Sequence, residues 1–273
     1  MKFVVKIFWF AVYVCLLYSS QLLGTLAKRQ VLLLNSLGQI RSEHALVTEF
    51  FTKNNVTEIL YIPYARVNAS YYNMYTEMTQ HALFGENFTI LGIHTFSDPV
   101  EAVKSAKGIY CSGGNSFVLL KRLYESNLIN TIRKRVLEDG MPYMGSSAGS
   151  NVATHSIQTT NDMPIVYPPS FDGMNLVPFN INPHYVDVTP GPRGFEGRDD
   201  RIREFTVLND TPVLALREGT LVMIDDDKAT LHGHANALLF TRDAEPQDYE
   251  PESDLSFLLE PPIKPLEVES EVE

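Results

Sequence analysis

The chain has 273 residues, a net charge of −11 and 44% hydrophobic residues, enough apolar side chains for one sizeable core. The acidic balance argues against a nucleic-acid partner. Of its two cysteines, Cys15 lies in an apolar N-terminal stretch and only Cys111 in the body, which excludes an internal disulfide framework.

The N-terminus carries Lys2 and Lys6, then an apolar run from Ile7 to Leu23, then small residues from Gly24 to Ala27. This order predicts a secretory signal peptide over residues 1–27, with a retained membrane anchor as the alternative reading. The Thr25-x-Ala27 pair favours the signal peptide, which leaves no membrane segment after its removal. Four Asn-x-Ser/Thr sequons, at Asn55, Asn68, Asn87 and Asn209, agree with export and are expected at the surface.

Residues 28–243 are expected to form a single α/β domain. Apolar runs at Val31–Leu34, Glu58–Ile62, Thr89–Ile93, Gly108–Cys111 and Pro142–Met144 read as buried strands. Between them, Glu43–Phe51, Tyr71–Phe84, Pro99–Ala106, Ser116–Tyr124 and Leu128–Glu138 read as helices, and another begins at Ser150. Continuous apolar strands alternating with helices predict a mostly parallel sheet covered on both faces. After Pro164 the pattern changes to short strands at Val213–Leu216, Leu221–Ile224, Ala229–Leu231 and Ala237–Phe240, with Asp225–Asp227 as a hairpin loop. These predict a C-terminal antiparallel β extension. From Ala244 onward, ten acids face one base among five prolines, which predicts a disordered tail over residues 244–273, with Leu255–Leu259 its one apolar stretch.

Gly145-Ser146-Ser147-Ala148-Gly149 lies between a predicted strand and a predicted helix, the setting of a nucleophile elbow. A sharp turn there lifts the Ser147 hydroxyl clear of the sheet and aims the Ala148 N–H at a developing oxyanion. Ser112-Gly113-Gly114-Asn115 ends another strand on the same edge, so Gly114 is a candidate for the second oxyanion N–H. Cys111 beside it reads as a buried strand residue rather than a thiol nucleophile. Of the seven histidines, His184 follows a strand and Pro183 and is the leading base; His155 is placed on the helix after Ser147, pointing away from its start. Asp162 and Glu218 are both candidates to orient the imidazole or bind a substrate amine. The sequence contains no Gly-x-Gly-x-x-Gly or Walker loop, and its histidines and acids share no helical face, so neither a nucleotide cofactor nor a metal is expected.

Gly145-x-Ser147-Ala-Gly149, Thr159-Thr-Asn-Asp-Met-Pro164, Ile181-Asn-Pro-His184 and Arg201-Ile-Arg-Glu204, in this order, resemble the alpha-aspartyl dipeptidase (peptidase E) family. The likeness spans about residues 30–240. It implies a flavodoxin-like or class I glutamine amidotransferase-like fold and cleavage of Asp-X dipeptides without a cofactor. In that family's pattern Ser147 is the nucleophile, His184 its partner, and Asp162 or Glu218 the acid. Gly114 and Ala148 form the oxyanion hole, Arg198 binds the aspartyl carboxylate, and Asn115 adds a substrate contact. Ser146 departs from the pattern, because relatives often carry a bulky aromatic there. Two alternatives stay open: a cyanophycinase-type hydrolase of beta-aspartyl links, and a secreted non-catalytic binding protein on the same fold.

Overall fold

The computed structural model describes residues 28–81, 88–187 and 197–260. The expected signal peptide and the sequon at Asn87 lie outside the described residues. The first half of the chain alternates strand and helix: β1 (Gln30–Leu34), α1 (Gln39–Ser42), α2 (His44–Thr52), β2 (Glu58–Ile62), α3 (Tyr72–Thr79), β3 (Thr89–Gly92) and α4 (Pro99–Ser105). It continues with β4 (Ile109–Cys111), α5 (Ser116–Glu125), α6 (Leu128–Leu137), β5 (Tyr143–Ser146) and α7 (Ala148–Ala153). The second half is richer in strand: β6 (Asn180–Tyr185), α8 (Arg198–Leu208), β7 (Val213–Arg217), β8 (Thr220–Asp225), β9 (Lys228–Gly233), β10 (Ala237–Phe240) and β11 (Gln247–Tyr249).

The main sheet runs β3-β2-β4-β5-β1-β8-β9. Its first five strands are parallel, and β8 and β9 extend it antiparallel beside β1. Strand β1 shows why its residues are continuously apolar. Val31 and Leu33 enter the core shared with α4, α5, α6 and α7, while Leu32 and Leu34 enter the one shared with α1 and α2. Both faces are covered, as a parallel sheet requires.

The other late strands form a second sheet, β11-β10-β7-β6. Of the predicted extension, then, β8 and β9 continue the main sheet, while β7 and β10 build a separate layer in which β6 and β7 are parallel. Periodicity signals strands but not their partners. The predicted hairpin loop is present, with Asp226 at φ 62° between β8 and β9.

The helix expected over Tyr71–Phe84 is present as α3 over Tyr72–Thr79, and its expected end at Phe84 lies outside the described residues. Two expectations are corrected. Helix α7 stops at Ala153, where the Thr154 N–H turns to Asn151, and His155 instead bonds Phe179. It is therefore not on the helix that follows Ser147. The expected disordered tail is folded as far as Glu260: β11 pairs with β10, Leu255 bonds Ala229, and Leu255, Leu258 and Leu259 are buried in the main core. Composition suggested solvation, yet three leucines bury enough apolar area to order the acidic residues that precede them.

Candidate active site

The site lies at the carboxyl ends of β1, β4 and β5, where open parallel sheets collect ligands. Ser147 sits between β5 and α7 with φ 52° and ψ −110°, a conformation that side chains rarely adopt. Its N–H donates to Leu34 O on β1 at 3.0 Å, which ties the turn to the neighbouring strand. The two glycines of the motif are there for close approach. A Cβ on Gly145 would lie 2.5 Å from Gly149 O, and one on Gly149 would lie 1.9 Å from Cys111 O. No larger residue fits at either place while β4, β5 and α7 keep their spacing.

Ser147 Oγ lies 2.9 Å from His184 Nε2, and His184 Nδ1 lies 2.5 Å from Glu218 Oε1. A carboxylate only accepts, so Nδ1 of the neutral ring donates to Glu218, which leaves Nε2 to accept from the Ser147 hydroxyl. His184 also has positive φ, 56°, at the irregularity in the β6–β7 pairing between Asn182 and Tyr185. Its backbone N–H donates to the Asn35 carboxamide, which is fully buried at the end of β1. The two strained residues are thus the two that face each other, and each is held to β1 or its end.

Asp162 takes a different place from Glu218. Its Oδ2 accepts from the Ser116 N–H at 2.7 Å and from Thr160 Oγ1 at 3.2 Å, at the start of α5. It does not touch His184. Asn115 is likewise occupied: it caps α5 through Val118 N–H, and its Nδ2 donates to Met163 O at 2.9 Å. Gly114 lies against Ala65 O with φ 150°. Its neighbour Gly113 comes nearest to Ser147, with an added Cβ at 3.0 Å from Ser147 Cβ. The Ala148 N–H is in the first turn of α7, where backbone donors lack intrahelical partners.

Asp162 and Arg198 line one cavity of about 190 Å³, with Thr159, Asn161, Asn182 and Arg201. Arg198 Nη1 is buried with no hydrogen-bond partner. Of the acids near it, Asp199 accepts from Tyr185 Oη, Asp200 closes the helix start by accepting from Gly197 N–H, and the charge of Glu218 acts on Arg198 without a hydrogen bond to it. Burial, reinforced by Arg201, pushes the Arg198 guanidinium below its ordinary pKa. A cation this short of partners in a polar cavity is set up to receive an anion.

The sequence pointed to Ser147, His184, Glu218 and Arg198, but not to Asn35 or to the Asn161–Asn182 clasp. Asn161 Nδ2 donates to Pro183 O at 2.7 Å, and Asn182 Nδ2 donates to Thr159 O at 2.7 Å. These bonds fix the backbone that carries His184. Their one signal was position: each asparagine falls inside a motif or at the end of a predicted strand. Cys111 is fully buried, and burial pushes its thiol up to about 12, which makes it inert. Among the described residues no cluster of histidines, cysteines and acids could hold a metal ion, and no helix is long and apolar enough to cross a membrane.

A mostly parallel α/β sheet presenting serine, imidazole and carboxylate in a hydrogen-bonded row defines a serine hydrolase. Residues 32–232 match the family model described as Peptidase family S51, and the chain belongs to that family. It is a serine-type peptidase. It is 45% identical over 238 residues to a protein named "Probable alpha-aspartyl dipeptidase" from Drosophila melanogaster, covering 85% of this chain and 98% of that one. It is 44% identical over 222 residues to a protein named "Peptidase E" from Streptomyces coelicolor, covering 80% and 88%. Among solved structures, a peptidase from an acI-B1 Actinobacterium superposes with a TM-score of 0.63 at 18% identity, covering 85% of this chain and 98% of its own. A putative peptidase E protein from Listeria monocytogenes superposes with a TM-score of 0.57 at 22% identity, covering 77% and 100%. Both of these likenesses show the fold.

Proposed function

We propose that the protein hydrolyses Asp-X dipeptides through an acyl-enzyme on Ser147. The observation that carries the substrate assignment is Arg198 Nη1, buried without a hydrogen-bond partner in the cavity that Asn182 joins to the His184 segment. Two parallel N–H donors of a guanidinium match one carboxylate, here the side chain of the N-terminal aspartate. Asp162, which lines the same cavity, receives the substrate ammonium.

In the first step Ser147 Oγ attacks the aspartyl carbonyl carbon while His184 Nε2 takes the hydroxyl proton. Glu218 keeps the ring oriented and stabilises the imidazolium. The Gly114 and Ala148 N–H groups receive the oxyanion. His184 then gives the proton to the departing amine of X, and the aspartyl ester remains on Ser147. Water attacks the ester carbonyl while His184 accepts its proton, and His184 returns that proton to Ser147 Oγ as the ester bond breaks, which frees aspartate and regenerates the serine. No cofactor takes part.

Comparing Asp-Leu, Glu-Leu and acetyl-Asp-Leu tests the substrate. Asp-Leu alone is expected to be cut well, and Arg198→Ala is expected to lose about a hundredfold or more in kcat/KM on it. Equal turnover of Asp-Leu by Arg198→Ala contradicts the clamp, and cleavage of beta-aspartyl-arginine in preference to Asp-Leu favours the cyanophycinase-type reading.

Export is part of the same proposal. It rests on the order of residues 1–27 and on the exposure of Asn55 and Asn68. Asn209 suits a glycan less well, because its Nδ2 donates to Phe205 O. A mature N-terminus at Lys28 and a glycosidase-sensitive mass are the expected results in secreting cells; an uncleaved, unglycosylated chain contradicts export.

A further inference from the structure

The proposed mechanism uses the cavity of Asp162 and Arg198 and leaves a second one unused. The second, of about 220 Å³, is lined by Leu37, Gly38, Arg41, Tyr61, Arg66 and Met78, with Tyr75 and Thr79 behind them. Its walls come from the segment after β1 and from β2 with the segment after it. In the sheet, the strands between β1 and β2 are β4 and β5, which lead into Gly113-Gly114 and Ser147. Leu37 and Gly38 follow β1 and Arg66 follows β2, so the cavity lies between the segments that leave the two strands flanking β4 and β5.

Its lining residues adjoin, along the chain, groups that hold the site. Leu34 O holds the Ser147 N–H, the Asn35 carboxamide holds the His184 N–H, and Leu37 and Gly38, two and three residues after Asn35, line the cavity. On the other side Ala65 O holds the Asn115 N–H and abuts Gly114, and the next residue, Arg66, lines the cavity. Below lie Tyr61, then Tyr110, whose Oη is 3.0 Å from Ser146 Oγ. Ser146 thus points to this face of the sheet, whereas the Arg198 cavity adjoins the second sheet.

The chemistry of the two cavities differs in the way the two halves of an Asp-X dipeptide differ. One is polar, with an unpartnered cation. The other is apolar, with Leu37 and Met78 partly open to solvent and guanidinium groups at its rim. Arg66 stacks on the Tyr75 ring with its guanidinium carbon 4.3 Å from the centroid, and its Nε is buried without a partner.

We infer that this second cavity holds the leaving residue X, its side chain against Leu37, Tyr61 and Met78 and its C-terminal carboxylate toward Arg66. The inference rests on the Asp-X reading and adds to it a preference for a large apolar X with a free carboxylate. Because X departs with the first step, the cavity acts on acylation, and thus on kcat/KM, and not on hydrolysis of the aspartyl ester.

Gly38 gives a direct probe. It has φ −58° and ψ −29°, which any residue adopts, and an added Cβ would meet only Ser36 Oγ at 3.7 Å. The test measures kcat/KM on Asp-Leu, Asp-Gly and Asp-Leu-amide for the unmodified protein, Gly38→Phe and Arg66→Gln. The unmodified protein is expected to prefer Asp-Leu over Asp-Gly by about tenfold or more, and Gly38→Phe to remove most of that preference. Arg66→Gln is expected to lower the Asp-Leu to Asp-Leu-amide ratio by about tenfold. Both readouts are ratios within one protein, so partial misfolding of a variant does not mimic them. Unchanged ratios in both variants, with Asp-Leu still cut, overturn this inference alone. Failure of the unmodified protein to cut any Asp-X substrate overturns the parent reading and this one with it.

Discussion

The elbow and the segment that brings it a base are built in opposite ways. Ser147 is placed by neighbours in the sheet: glycines that admit Cys111 O and Gly149 O, and a backbone bond to Leu34. His184 is placed by side chains far away in sequence, with Asn35, Asn161 and Asn182 holding its backbone and Glu218 its ring. A nucleophile made by local backbone geometry tolerates few substitutions but is readable in five residues. A base held by distant carboxamides is spread over the chain, and each holder contributes a part.

The sharpest way to break this comparison is at the acid. Glu218→Gln removes the negative charge from His184 Nδ1 and is expected to lower kcat about a thousandfold or more. Asp162→Asn, which leaves the His184 ring untouched, is expected to lower kcat much less and to raise KM, through the substrate ammonium. A reversed order of kcat losses would return Asp162 to the role of orienting acid.

A smaller effect is expected at the clasp. Asn182→Ala removes the bonds to Thr159 O and Asn161 and lets the His184 backbone shift. Misplacing a catalytic group in this way is expected to cost about a hundredfold in kcat, with the folded sheet retained by circular dichroism. Full activity in Asn182→Ala would mean that β6 alone positions the imidazole.

The smallest effect on activity is expected at the C-terminal segment. Leu255 is fully buried, and its N–H bonds Ala229 on β9, away from the reacting groups. Leu255→Ala is expected to lower unfolding stability by about 2–5 kcal/mol, measured by urea denaturation, with kcat within a few fold of normal. No loss of stability would restore the picture of a solvated tail.

The same contrast governs what was legible in the sequence. The parallel half could be read strand by strand, because β1, β2, β4 and β5 are buried on both faces and therefore continuously apolar. The elbow followed from its glycines. The partners of the late strands could not be read: β8 and β7 are similar apolar runs, yet one joins β1 and β9 and the other β6 and β10. Asp162 and Glu218 were indistinguishable on the same ground, since neither one's distance from His184 is a local property. The folding of Gln247–Leu259 was hidden by its charge, because three leucines decide against the many acids around them. Asn35 gave the weakest signal: an asparagine closing a strand is ordinarily a turn residue.

All of this depends on the Ser147 hydroxyl attacking the substrate. The most direct measurement is kcat/KM for Asp-Leu in Ser147→Ala, with the fold verified by circular dichroism. The account predicts a loss of about ten-thousandfold or more; a value within tenfold of the unmodified protein would contradict it.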